Sequence, residues 1–94
     1  MQPIPADKHC YKTTPEFDQD SIPLGLTRHH TTKAGTWARI HVISGRLVLQ
    51  FIAEGDWERE EYLLTPDHFG TIEPQRPHQV RADGPVTFFV EFYR

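Results

Sequence analysis

Over most of the second half of the chain, apolar and polar residues alternate with a period of two, the spacing that sends successive side chains to opposite faces of a β-strand. From Trp37 to Ser44 (WARIHVIS), Ala38, Ile40 and Val42 fall on one face and Trp37, Arg39, His41 and Ile43 on the other. Gly45 follows, and Arg46 to Ile52 (RLVLQFI) alternates again, with Leu47, Leu49 and Phe51 opposed to Val48 and Gln50. Glycine tolerates the positive φ of tight hairpin turns, so the Ser44-Gly45 step reads as the apex of a β-hairpin. The last segment, Val86 to Tyr93, sets Phe88, Val90 and Phe92 against Phe89, Glu91 and Tyr93. A strand that is apolar on both faces belongs in the middle of a sandwich or barrel.

The intervening stretches read as turns and short strands. AEGDWERE turns the chain before a strand EEYLL; TPDHFG is a loop, Thr71 to Glu73 a short strand, PQRP a turn into His78, Gln79 and Val80, and ADGP a further turn. Ahead of Trp37, GLTRHHTT alternates as a strand and KAGT turns about Gly35. Met1 to about Pro23 holds four prolines and no period, which predicts an irregular N-terminal arm with one short strand. No helical period of useful length and no internal repeat is present. The expectation is a single all-β domain over residues 1–94, a small sandwich or barrel of short strands.

Composition narrows the function classes. The formal net charge is −3 and no Lys/Arg cluster occurs, so the electrostatic footprint of phosphate-backbone binding is missing and nucleic acid is not an expected partner. No apolar run approaches the ~20 residues of a membrane span, and MQPIPADKHC lacks the order of a signal peptide, which points to a soluble protein of the cytoplasm with no membrane partner. Cys10 is the one cysteine, so it forms no internal disulfide and supplies no thiolate cluster. No nucleophile elbow, phosphate-cradling loop or Cys-His arrangement is present, and covalent catalysis has no support.

Two blocks carry a resemblance. HTTKAGTWARIHVISGRLVL (His30 to Leu49) resembles the first block of the TehB/YeaR-like domain family, and LTPDHFGTIEPQRPHQVRADGP (Leu64 to Pro85) resembles its second, with FFVEFYR fitting its last strand. The resemblance implies a compact, jelly-roll-like cupin fold and an association with tellurite resistance. Members of that family stand alone or are fused to a tellurite-resistance methyltransferase. The sequence stops at Arg94 with no Gly-rich nucleotide-binding unit, so the resemblance by itself does not carry methyl transfer to these residues. Pro77 stands where the family usually has Trp, and Ala38 stands roughly where the cupin metal motif has Glu.

Within that frame His30 and His78 are the leading metal-ligand candidates, because cupin topology brings the two blocks together at the barrel mouth. Glu91 is the third candidate, and His41 and Glu73 are alternates. The metal expected is a divalent ion, zinc, iron, nickel or manganese. The plainer alternatives are hydrogen-bonded or surface histidines, and a Glu91 paired with Arg39 or Arg81. Arg28, Arg39 and Arg76 could hold an oxyanion or pair with surface acids, and Trp37 and Tyr62 could floor a pocket or fill the core. His9, His29 and His68 read as surface residues. The expected function is a small-molecule or metal-binding cupin module in resistance to toxic oxyanions. A metal-dependent cupin enzyme and a protein-interaction scaffold are the alternatives, and a homodimer that protects edge strands fits all three.

Overall fold

Two long strands organise the molecule. In a computed structural model describing all residues Met1–Arg94, β3 (Trp37–Phe51) and β6 (His78–Tyr93) pair antiparallel from Trp37 opposite Tyr93 to Phe51 opposite His78. Around them lie β1 (Cys10–Thr13), β2 (Phe17–Asp18), β4 (Glu60–Leu64) and β5 (Gly70–Ile72), with one 3-10 turn at Leu24–Thr27. The strand order is β1-β6-β3-β4, β2 also pairs with β6, β5 also pairs with β3, and every pairing is antiparallel. This is the all-β, cupin-type sandwich expected from the sequence. No helix is long and apolar enough to cross a membrane.

The two reversals read at Ser44-Gly45 and Ala82 to Pro85 are not reversals. Both segments lie inside continuous strands, and Gly45 pairs with Val86. Register shifts between Val42 and Ser44 and between Gly45 and Leu47 mark β-bulges, which bend a strand and increase its twist. Both strands continue through the irregular region, with Ser44 opposite Thr87 and Gly45 opposite Val86. Gly45 has φ of 80°, and a Cβ built on it would lie 2.0 Å from the Pro85 carbonyl oxygen, so the close approach of the two backbones requires glycine.

GLTRHHTT also departs from expectation. Pro23 presets the backbone for a turn, Leu26 N–H donates to its carbonyl at 2.9 Å, and Leu24–Thr27 winds as a 3-10 turn. Only His30 is left in ladder geometry, in an isolated bridge to His78. The N-terminal arm supplies two short strands rather than one, both docked on β6, with Cys10 opposite Tyr93 and Phe17 opposite Phe88. The core is built from the alternate positions of the long strands. Leu47, Leu49 and Phe88 are fully enclosed, and Phe51 and Val86 nearly so.

Candidate functional site

Strand parity creates the site. Ala38 and Ile40 of β3 and Phe88 and Val90 of β6 face inward, and with Phe17 and Leu26 of the covering N-terminal segment they wall a cavity of about 250 Å³. His30 and His78 line the same cavity. The isolated bridge holds them together: His30 N–H donates to the His78 carbonyl at 2.8 Å and His78 N–H donates to that of His30 at 2.9 Å. Their rings meet edge to face with centroids 5.1 Å apart. The structure therefore brings the two candidate histidines together.

Both imidazoles are poorly solvated. His78 is 3% exposed, and burial pushes its pKa down from 6.5 to about 4, although its hydrogen bond to the Arg76 carbonyl opposes the shift. Burial also lowers the pKa of His30, and the charge of neighbouring His29 adds to the effect. Near neutral pH the cavity thus presents two neutral rings among apolar walls, with Lys12 lining it as well. An oxyanion placed there would surrender its hydration to hydrocarbon.

The remaining metal-ligand candidates lie elsewhere. Glu91 is on the opposite face of β6 from Phe88 and Val90; it accepts a hydrogen bond from His41 Nε2 at 2.5 Å and another from the Tyr93 hydroxyl at 3.2 Å. His41, its cross-face partner, stacks on Phe89 at 5.0 Å. Glu73 accepts from Arg76 at 3.2 Å. The cavity is lined by two imidazoles and no carboxylate, fewer than the three or so protein ligands a cupin-type metal needs, and no group of three or more His, Cys, Asp or Glu gathers elsewhere. These residues do not fit a metal centre.

Two of the candidate arginines, Arg76 and Arg39, are committed to protein partners. Arg76 is buried against the Phe51 ring, its guanidinium carbon 3.8 Å from the ring centroid, and pairs with Glu60 and Glu73. Arg39 packs over Phe69 and Tyr93 on the outer face, at 4.9 and 5.1 Å. Arg28 caps the 3-10 turn at the surface. Trp37 is half-buried opposite Tyr93, and Tyr62 packs edge-on to Phe51 while donating to Glu60 at 2.7 Å. His9, His29 and His68 are exposed, His29 in an ion pair with Glu54.

Sequence reasoning missed Thr32, Phe17 and Leu26. Thr32 is buried beside the cavity, donating to the Thr36 carbonyl at 2.8 Å and accepting from Gln75 N–H at 3.1 Å, and so ties the His30 loop to the turn before His78. Phe17 stands alone among polar neighbours, and Leu26 falls in the GLTRHHTT stretch, which reads as a strand but whose start folds as a 3-10 turn. The isolated hydrophobicity of Phe17 in an otherwise polar stretch, and the Ile22-Pro23-Leu24 cluster beside Leu26, were the available signals.

The profile of the TehB-like domain matches residues 12–90. The chain is 35% identical over 74 residues to a protein of Haemophilus influenzae (strain Rd) named as a probable S-adenosyl-L-methionine-dependent methyltransferase TehB, a match covering 78% of this chain and 26% of that protein. The same protein of strain 10810 is 34% identical over the same shares. The chain thus spans about a quarter of the length of the curated relatives it matches. The crystal structure of TehB from Haemophilus influenzae superposes with a TM-score of 0.85 at 31% identity, over 94% of this chain and 32% of that one. An Escherichia coli K12 protein shares the fold at a TM-score of 0.85 and 22% identity, over 100% of this chain and 97% of that chain. These relatives overturn the expected function. The two curated Haemophilus influenzae proteins are named for methyl transfer, not as metal-binding or oxyanion-binding cupins.

Proposed function

The chain belongs to the TehB-like domain family, and from that membership we propose that it is an accessory domain of S-adenosyl-L-methionine-dependent methyl transfer, working beside the unit that carries the methyl donor. One observation carries the reading: 78% of this chain matches only 26% of proteins named as methyltransferases. A domain conserved in length and fold beside a catalytic unit is well suited to positioning a substrate or stabilising that unit.

The architecture supports a division of labour. Nucleoside cofactors are commonly held where a parallel strand runs into a helix, whose N-terminus supports the ligand. Here all pairings are antiparallel and the helical content is one four-residue 3-10 turn. The donor therefore belongs to the other unit. The tellurite association of the family makes tellurite tolerance a second readout for the same system.

A chimera tests the proposal. The matching segment of the Haemophilus influenzae relative is replaced by this chain, and S-adenosyl-L-methionine-dependent methyl transfer is compared with the intact relative and with a deletion of the segment. The expected result is a rate within a few-fold of the intact protein and well above the deletion. A deletion as active as the intact protein, or a folded chimera no better than the deletion, overturns it.

A further inference from the structure

The inner cavity contains a polar atom that no protein group satisfies. His78 Nδ1 lies 2.8 Å from the Arg76 carbonyl oxygen, which can only accept, so Nδ1 carries the proton and the neutral ring keeps a bare lone pair on Nε2. Nothing in the protein donates to that lone pair, yet it is not sealed. The side-chain nitrogens that are both enclosed and unpartnered are Arg39 Nε and Arg76 Nε. Because His78 is 3% exposed and lines the cavity, the access that Nε2 retains is to the cavity.

The surroundings define what can satisfy it. Bound water needs two to four polar partners, and the cavity walls are mostly apolar, Phe17, Leu26, Ile40, Phe88 and Val90 among them, with His30, Lys12, Thr14 and Thr32 as the polar side chains of the lining. The nearby Thr32 hydroxyl already donates to Thr36 and accepts from Gln75. An apolar cavity of roughly 150 Å³ accommodates benzene, so one of about 250 Å³ has room for an aromatic ring and a few further atoms. We propose that this cavity binds an uncharged molecule of that size, with an apolar body and a single O–H or S–H donor directed at His78 Nε2.

One consequence rests on the methyl-transfer reading. Methylating that oxygen or sulfur removes the hydrogen His78 accepts and leaves Nε2 buried without a partner. The cavity then distinguishes a methyl acceptor from its methylated product, retaining the first and releasing the second. The binding itself does not depend on methyl transfer.

The test uses the complete chain, with phenol, anisole, toluene and benzoate as probes. Binding is followed by calorimetry and by the ¹⁵N resonances of the histidine rings. Phenol is expected to bind and to move the His78 Nε2 resonance toward its hydrogen-bonded position. Losing a buried hydrogen-bond partner is expensive, so anisole and toluene bind at least about tenfold more weakly, and benzoate does not bind. A His78→Phe variant keeps a ring in place and is expected to bind phenol and toluene equally. Should that variant fail to fold, the wild-type resonances decide alone. Equal binding of phenol and toluene, preference for benzoate, or no probe perturbing His78 overturns the proposal. An inactive chimera alongside selective phenol binding overturns the methyl-transfer reading and leaves the cavity assignment standing, and the converse pair of results does the opposite.

Discussion

The two faces of the β3–β6 pair use the same residue types for opposite ends. On the inner face His78 and His30 sit among hydrocarbon, with their pKa values lowered by burial and no carboxylate beside them. On the outer face, His41 is hydrogen-bonded to Glu91, which is in turn linked to Tyr93 and through it to Arg39, and Phe69 is left 47% exposed. The difference shows that a histidine's chemistry here is set by strand parity. One step along β6 separates an environment that keeps imidazole neutral from one that offers a charged partner. The outer network pairs its imidazole, carboxylate and phenol with one another and leaves only Arg39 Nε without a partner, whereas the inner pair leaves the lone pair of His78 Nε2 without a donor.

Substitution at adjacent positions of β6 should give the largest contrast. Phe88 is fully enclosed and packs tilted against Phe17 at 5.6 Å, so Phe88→Ala is expected to cost about 3–5 kcal/mol in urea unfolding. Its neighbour Phe89 is half-buried and stacks on His41, and Phe89→Ala is expected to cost about 1 kcal/mol. Equal losses at the two positions would break the distinction between the faces.

Acid should produce a somewhat smaller effect. The unfolded chain takes up a proton on His78 near pH 6.5, while the folded chain does so only near 4, so stability is complete above 6.5 and declines as pH falls toward 4. The full decline amounts to about 3 kcal/mol at 1.36 kcal/mol per pKa unit. His78→Phe is expected to remove this component of the acid sensitivity, and His41→Phe to retain it. Comparison of urea midpoints at pH 7 and pH 4.5 for the three proteins measures it, and an unchanged pH dependence in His78→Phe would contradict the assignment.

Much of this division was legible in the alternation of residues. The opposition of Ala38, Ile40 and Val42 to Arg39 and His41, and of Phe88 and Val90 to Phe89 and Glu91, is visible by counting in twos. That pattern separates Glu91 from the inner face, but it does not say which face lines a cavity, so Glu91 remained a ligand candidate beside His78. Gly45 and the Ala82 to Pro85 segment were misread because a glycine at positive φ serves a hairpin apex and a bulge equally well. What distinguishes them is the long-range pairing of Gly45 with Val86. The arm was expected to hold one short strand and holds two, β1 and β2, because edge strands have little buried surface to impose a period, and all four residues of β1 are exposed. The tautomer of His78 was beyond sequence reasoning altogether, since it depends on a carbonyl two residues away in a turn whose geometry is tertiary.

The central claim is that the inner face presents a neutral imidazole with a free acceptor. Long-range ¹H–¹⁵N correlation of the histidine side chains, from pH 7.5 to 4.5, tests it most directly. The account predicts that His78 remains neutral with its proton on Nδ1 until pH approaches about 4. Exposed His29, whose pKa its hydrogen bond to Glu54 raises, is predicted to take up its proton at a higher pH than His78. A His78 that titrates near 6.5, the ordinary value of a solvated imidazole, or that carries its proton on Nε2, would contradict it.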